Sequence, residues 1–408
     1  MAVAVLAVLL AAAPLSVSQQ NSTADEVQRL GATFGADFIR PAGEPPAPSA
    51  AARDFGASGV SRWLSDEVER SEESIGDVPP SVREYLDARS IALWDLVAVL
   101  EKGSPEWGDD EADASARMRP FLPTVRLEKV LLAAALRAQR EGEPIDAGRL
   151  LEASWALGRP VSQRTTLIDK LLTIGIEKLQ LGVLRRIPQP PIGWMSRLGE
   201  DRTWGGMLDA FDRETVRSVG DTTLDAFARA RHRLFGAVVD RLRKLSACEA
   251  SRQSDEEIWR DVSAVIEMDS HPGVRASGEP PAGEPTPDPD GPEPAGEQRL
   301  YFKRDELPFI TSALRRAARS AVDRELTLRI LELRMDRAAS RDGTWPTRLV
   351  NPTSSVCPEA SYAYSSNAGG MEIRFEGSVA DPDATLVLPL TFRTGKAKAK
   401  KTPTPNPR

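Results

Sequence analysis

The chain has 408 residues, more than one ordinary compact unit, and at ~150 residues per domain it suggests two to three. Hydrophobic residues make up 41% and charged residues 28%, enough for real cores, while sparse aromatics (6%) beside abundant Leu, Ala, Arg and Glu favour helices over strands. A formal charge of −7 with both signs mixed along the chain argues against a dedicated nucleic-acid surface, and two cysteines with two histidines are too few for a zinc site of the Cys/His type.

The chain opens on an uncharged run, Ala2 to Val17, shorter than the ~20 residues of a membrane span but suited to the apolar region of a signal peptide. Ser16-Val17-Ser18 before Gln19 is a small-x-small cleavage site, and Pro14 would break a helix just ahead of it. No Lys or Arg follows Met1, so the basic start of a signal is missing. Residues 1–18 are therefore read as a signal peptide or a retained anchor, with a buried N-terminal helix as the alternative. The first two readings place the rest of the chain outside the cytoplasm, in the periplasm or cell envelope, with membrane attachment through this segment in the anchored case.

Residues 19–57 are polar and then rich in Pro and Ala, the composition of a disordered tether. A helical domain is expected over 58–267. Pro79-Pro80 introduces a helix through Leu100 with Ser81 as N-cap, ended by Gly103-Ser104-Pro105. The clearest patterning runs from Phe121 to Pro188. One helix covers Thr124 to Arg140 and stops at the turn 141–144. A second, Asp146 to Leu157, ends at Gly158 with Pro160 beyond. A third spans Ser162 to Arg186. Ala133, Ala134, Ala135, Ala147, Ala153 and Ala156 are small enough to let helices approach closely. The first two make a hairpin of tetratricopeptide size, without a second copy. Further helices fit 203–218, 222–246 and 254–267, the last opened by a Ser254/Glu257 capping box.

Residues 268–300 contain the Pro-rich run PGVRASGEPPAGEPTPDPDGPEPAGE and read as a disordered linker. A second unit, 301–393, combines a long helix from Pro308 to about Arg337 with short strands at 362–364, 371–375 and 385–390. The first two strands are joined by a turn at Asn367-Ala-Gly-Gly370. The long helix carries the stripe Ile310, Leu314, Ala317, Ala321, Leu328, Leu331 and Met335. Arg324 falls in that seam and requires a partner or a helix edge. Residues 394–408 form a basic disordered tail. The fold class is thus mainly α, a helical-hairpin bundle or short stack with a small C-terminal α+β unit.

The run from Val125 to about Asp221, with "LLAAALRAQREGEP", "RTTLIDKLLTIGIEKLQLGVL" and "FDRETVRSVGD", resembles a family of uncharacterised exported helical proteins of environmental bacteria. Residues 325–377 resemble the tail of the same proteins. They also resemble the helix-to-strand junction of type II secretion pseudopilins, in the pattern Gly343, Thr344, Trp345 and Pro346. A pseudopilin begins with its long hydrophobic helix, whereas the matching segment here is polar and C-terminal, so pilus assembly is not implied. The resemblance implies export and a helical fold, and carries no catalytic residues.

Candidate chemistry is thin. Asp288 and Asp290 hint at a Ca²⁺ loop, but Thr286 and flanking prolines break the ligand pattern, leaving a solvated acidic linker. His232 lies on a helical stripe and His271 precedes the Pro-rich run; both read as packing or surface residues. No phosphate-binding Gly loop and no G-x-S-x-G occur. Trp155, Trp194, Trp204 and Trp259 read as core packing, with the lining of a ligand groove as the alternative. Cys248 and Cys357 could pair in an oxidising compartment or stand as two small buried side chains. No cofactor and no metal are expected. The leading expectation is a non-enzymatic exported envelope or periplasmic protein that binds a protein partner or scaffolds an assembly; the alternative is an exported hydrolase that uses two carboxylates on a cell-wall glycan.

Overall fold

The computed structural model describes residues 17–35, 48–105, 121–191, 193–199, 203–217, 236, 238–254, 256–258, 260, 307–379 and 390–395. The expected cleavage site and apolar leader, the Pro-rich linker, the basic tail, His232, His271, Asp288, Asp290 and Trp259 lie outside or at the margin of these residues.

The first core forms around two central helices, which we label in chain order with the rest: α1 (Val17–Thr33), α2 (Pro48–Glu69), α3 (Pro80–Asp87), α4 (Ser90–Leu100), α5 (Phe121–Glu141), α6 (Pro144–Ser162), α7 (Leu167–Leu184), α8 (Trp194–Gly199) and α9 (Thr203–Arg217). Every residue of α5 from Val130 to Leu136 is buried, so these two turns are enclosed on all sides. Its three consecutive alanines let α6 lie close along it. The hairpin turn is built from Gly142 at φ +86, a backbone state that glycine adopts without strain, followed by Pro144 in the first turn of α6.

Several boundaries depart from the sequence expectations. The tether expected at 19–57 is corrected at both ends: α1 covers most of its start, and α2 already begins at Pro48. Val27, Leu30 and Phe34 bury against α4, and Arg89 Nε donates to the Thr33 carbonyl at 3.1 Å, capping the end of α1. Ser81 is not an N-cap; Pro79 occupies that position, and the helix expected through Leu100 breaks at 88–89. α6 runs through Gly158 and Pro160 to Ser162. Glycine is needed at 158 for close approach, since a Cβ there would stand 2.9 Å from Glu128 Oε1 and 3.2 Å from Ile176 Cγ2. The next helix then starts at Leu167, where Thr166 Oγ1 accepts from the Asp169 amide.

Gly182 on α7 marks another close crossing. A Cβ there would overlap the Val68 side chain and stand 3.1 Å from the Val68 Cα on α2. We expect Gly182→Ala to destabilise the fold by about 1–3 kcal/mol, the usual cost of overpacking. A lowered urea midpoint with an unchanged slope would register it; an unshifted midpoint would mean that α2 and α7 can separate freely.

Past α9, a helical turn at 238–242 precedes α10 (Ala247–Arg252), which opens with a capping box between Ser246 and Glu249. The expected Ser254/Glu257 box is also formed: the Glu257 amide donates to Ser254 Oγ at 3.1 Å and the Ser254 amide to Glu257 Oε2 at 2.8 Å.

The long helix α11 (Leu307–Ala339) threads the assembly, packing on α7, α8, α9 and α10. Leu314, Ala317, Ala321 and Leu331 of the expected stripe are buried, while Met335 is exposed. A second face, Val322, Leu326, Ile330 and Leu333, packs on the sheet. Arg324 meets the partners its position demands: Glu177 at 3.2 Å, the Leu198 carbonyl at 3.1 Å and the Arg197 carbonyl. The fully buried Arg185 pairs with Asp323 of α11 at 2.5 Å, and Arg334 binds Glu73 at 2.6 Å and the Ile187 carbonyl at 2.9 Å.

The sheet consists of β1 (Tyr362–Asn367), β2 (Gly370–Phe375) and β3 (Thr391–Arg393), antiparallel in that order. The expected turn is formed with Asn367 opposite Gly370, and Asn367 Oδ1 accepts from the Gly369 amide at 2.7 Å. A strand lies at 391–393; the strand expected at 385–390 falls, apart from Leu390, outside the described residues. Arg393 continues the sheet into the segment after α2, donating to the Ser71 carbonyl at 2.8 Å and accepting from the Glu73 amide at 2.9 Å. Cys248 of α10 and Cys357 ahead of β1 form a disulfide, their Cα atoms 5.4 Å apart. The chain is mainly α with a small C-terminal β unit, the class that its composition implies.

Candidate functional site

Among the described residues an open groove of about 740 Å³ runs along the outer face of α6. Pro144, Ile145, Arg149, Glu152, Ala156 and Arg159 recur at helical spacing and form its floor. One wall is Glu101, Gly103 and Ser104 past the end of α4; the other is Gln189 and Pro191 between α7 and α8, with Arg197 of α8. The inner face of α6, including Leu150, Ser154, Leu157 and Val161, is buried, so the amphipathicity of one helix fixes both core and groove.

The polar groups are organised by two arginine–glutamate pairs. Arg149 grips Glu101 with Nε at 2.8 Å and Nη2 at 3.2 Å, and its guanidinium stands 5.0 Å from the Trp94 ring centre. This grip holds the Glu101 carboxyl below the usual carboxylate range. Arg197 clamps Glu152 at 3.0 and 2.9 Å, and Trp194 Nε1 donates to the same carboxylate at 2.7 Å. The Arg197 guanidinium lies 5.1 Å from Trp155 and 5.3 Å from Trp194, whose rings meet edge to face at 5.3 Å. Trp194 is fully buried and Trp155 half-buried, its free surface turned to the groove. Arg159, exposed at the far end, has no side-chain partner among the described residues.

Of the four tryptophans singled out by sequence, Trp155 and Trp194 come together at the groove. Trp204 instead packs against the core around Met207, Val238 and Leu314 and against the core between α11 and the sheet, and Trp259 lies outside the described residues. Trp94, Arg149 and Arg197 carry no such mark in the sequence. Arg149 follows Ile145 at helical spacing, but its pairing with Glu101, 48 positions away, has no local signal.

The groove's carboxylates, Glu101 and Glu152, are each bidentate to an arginine. A carboxyl whose pKa is raised, Glu128, is sealed in the core between α5, α6 and α7. Cys248 and Cys357 are buried in their disulfide and offer no nucleophile. Among the described residues no group of three His, Cys, Asp or Glu side chains is placed to hold a metal ion, and no helix is long and apolar enough to cross a membrane. Compared with known proteins, the chain matches no family model, no curated protein and no solved structure.

Proposed function

We propose that this is a non-enzymatic exported protein of the envelope or periplasm whose helical body docks a partner protein in the α6 groove. The observation that carries the reading is the groove itself. It presents an aromatic face, an exposed aliphatic side chain (Ile145, 79% exposed) and an unengaged guanidinium on a rigid helix, while its carboxylates are neutralised. The disulfide supports the exported part of the reading, since such bonds persist in oxidising compartments. So does the resemblance of residues 125–221 to exported helical proteins.

A photo-crosslinking residue in place of Ile145 tests this in cells that export the full chain. A discrete protein adduct is expected from position 145 and none from the equally exposed Val350, which lies outside the groove. The reading fails if position 145 gives no protein adduct, or if the purified protein turns over a cell-wall glycan.

A further inference from the structure

Resting on the groove as a docking site, we propose that its occupant is an extended acidic peptide segment of the partner, with a carboxylate seated on Arg159 and an aromatic or proline side chain on Trp155. Charge selects the carboxylate. Three arginines face the groove against two glutamates, inside a chain of net charge −7. Both glutamates are engaged by Arg149 and Arg197, so Arg159 is left to a ligand. A guanidinium with open donors recognises a carboxylate in a planar, two-pronged geometry. Trp155, backed by Trp194 and stiffened by Arg197, supplies a preorganised flat face beside it.

Helical rise sets the spacing. Trp155 and Arg159 are four positions apart on α6, about 6 Å at ~1.5 Å per residue, which an extended peptide covers in about two residues at ~3.3 Å each. Ile145 lies ten positions before Trp155, ~15 Å along the axis, or about four to five extended residues. The recognised segment therefore carries an acidic residue two places from an aromatic or proline, with an aliphatic residue four or five places further on. Salt weakens such binding, because Arg159 is exposed.

Fluorescence anisotropy of labelled octapeptides on the full chain tests this, with the pattern synthesised in both chain directions. The Asp-bearing peptide is expected to bind at least about tenfold more tightly than the same peptide with Lys in place of Asp, the scale of one charge-assisted hydrogen bond. Arg159→Glu, a surface change that leaves the core untouched, should reverse that preference so that the Lys peptide binds better. Trp155→Phe should retain the charge preference at reduced affinity. Equal binding of the two peptides, or an Arg159→Glu variant that still prefers Asp, overturns the proposal. So does binding that appears only after residues 272–297 are deleted, since the groove would then serve the chain's own acidic segment. If Ile145 crosslinks to a protein while the peptides fail, the docking reading stands and only the acidic segment is wrong.

Discussion

Replacing Cys248 and Cys357 together by alanine is expected to lower the unfolding free energy by about 4–5 kcal/mol. The bridge closes a separation of 109 residues, and the entropy that such a crosslink removes from the unfolded chain is of that order. Native geometry already favours the bond. Cys248 sits on α10, whose start is fixed by its own capping box and tied to the C-terminal unit by Arg252 on Glu359 at 2.7 Å. The loop bearing Cys357 is held by Glu325 of α11, which accepts from Ser354 Oγ at 2.5 Å, the Ser355 amide at 2.7 Å and Tyr362 Oη at 3.2 Å. Ser354 Oγ in turn accepts from the Cys357 amide at 3.0 Å. Urea unfolding of the oxidised protein, the reduced protein and the double alanine variant should give one high midpoint and two lower ones. A thiol count in denaturant without reductant should find none. Free thiols in that assay, or three coincident midpoints, would refute the role assigned to the bridge.

Structural decisions that are local are legible in the sequence. The turn at 142–144, the alanines of α5 and α6, the Ser254/Glu257 box and the Asn367–Gly370 turn are each settled by a few neighbouring residues, and they stand where expected. Decisions whose deciding partner is distant are not legible there. Gly158 and Pro160 carry the marks of a helix end, yet the glycine serves the approach of Glu128 and Ile176. α1 looks like a polar tether because only a few of its residues are apolar, and those meet a surface that lies 50 or more positions later. The buried arginines are the extreme case. Arg186 donates to the carbonyls of Glu67 and Arg70 at the end of α2, more than a hundred positions away, and no spacing rule foretells that. The groove shows the same division: Trp155 and Trp194 stand out in the sequence, but Arg197, which stacks on both, does not.

Glu128 offers the sharpest electrostatic test, because it sits fully buried where α5 meets α6 and α7. Burial pushes its pKa up to about 8, only partly opposed by hydrogen bonds involving Ser154 and Gln180. Ser154 Oγ donates to its Oε2, Gln180 Nε2 donates to Ser154 Oγ at 3.0 Å, and its Oε1 has no hydrogen-bond partner among the described residues. The folded protein therefore keeps a proton that the unfolded chain, at its ordinary value of 4.5, gives up. The stabilising contribution of the neutral acid is complete below pH 4.5 and is lost as pH rises towards about 8, at ~1.4 kcal/mol per pH unit. Glu128→Gln keeps the shape and removes the proton. Wild type and variant should be nearly equal in stability near pH 4.5, and the variant should be more stable by about 3 kcal/mol at pH 7. Every other carboxylate titrates alike in both proteins, so the difference between their stability curves isolates this one. A difference that stays flat from pH 4.5 to 8, or a wild type that is the more stable at pH 7, would mean that Glu128 is ionised in the core and balanced by a charge. The site bears on the groove as well, since Glu128 touches α6 at Ser154 and Gly158, the residues just before Trp155 and Arg159 on the docking face.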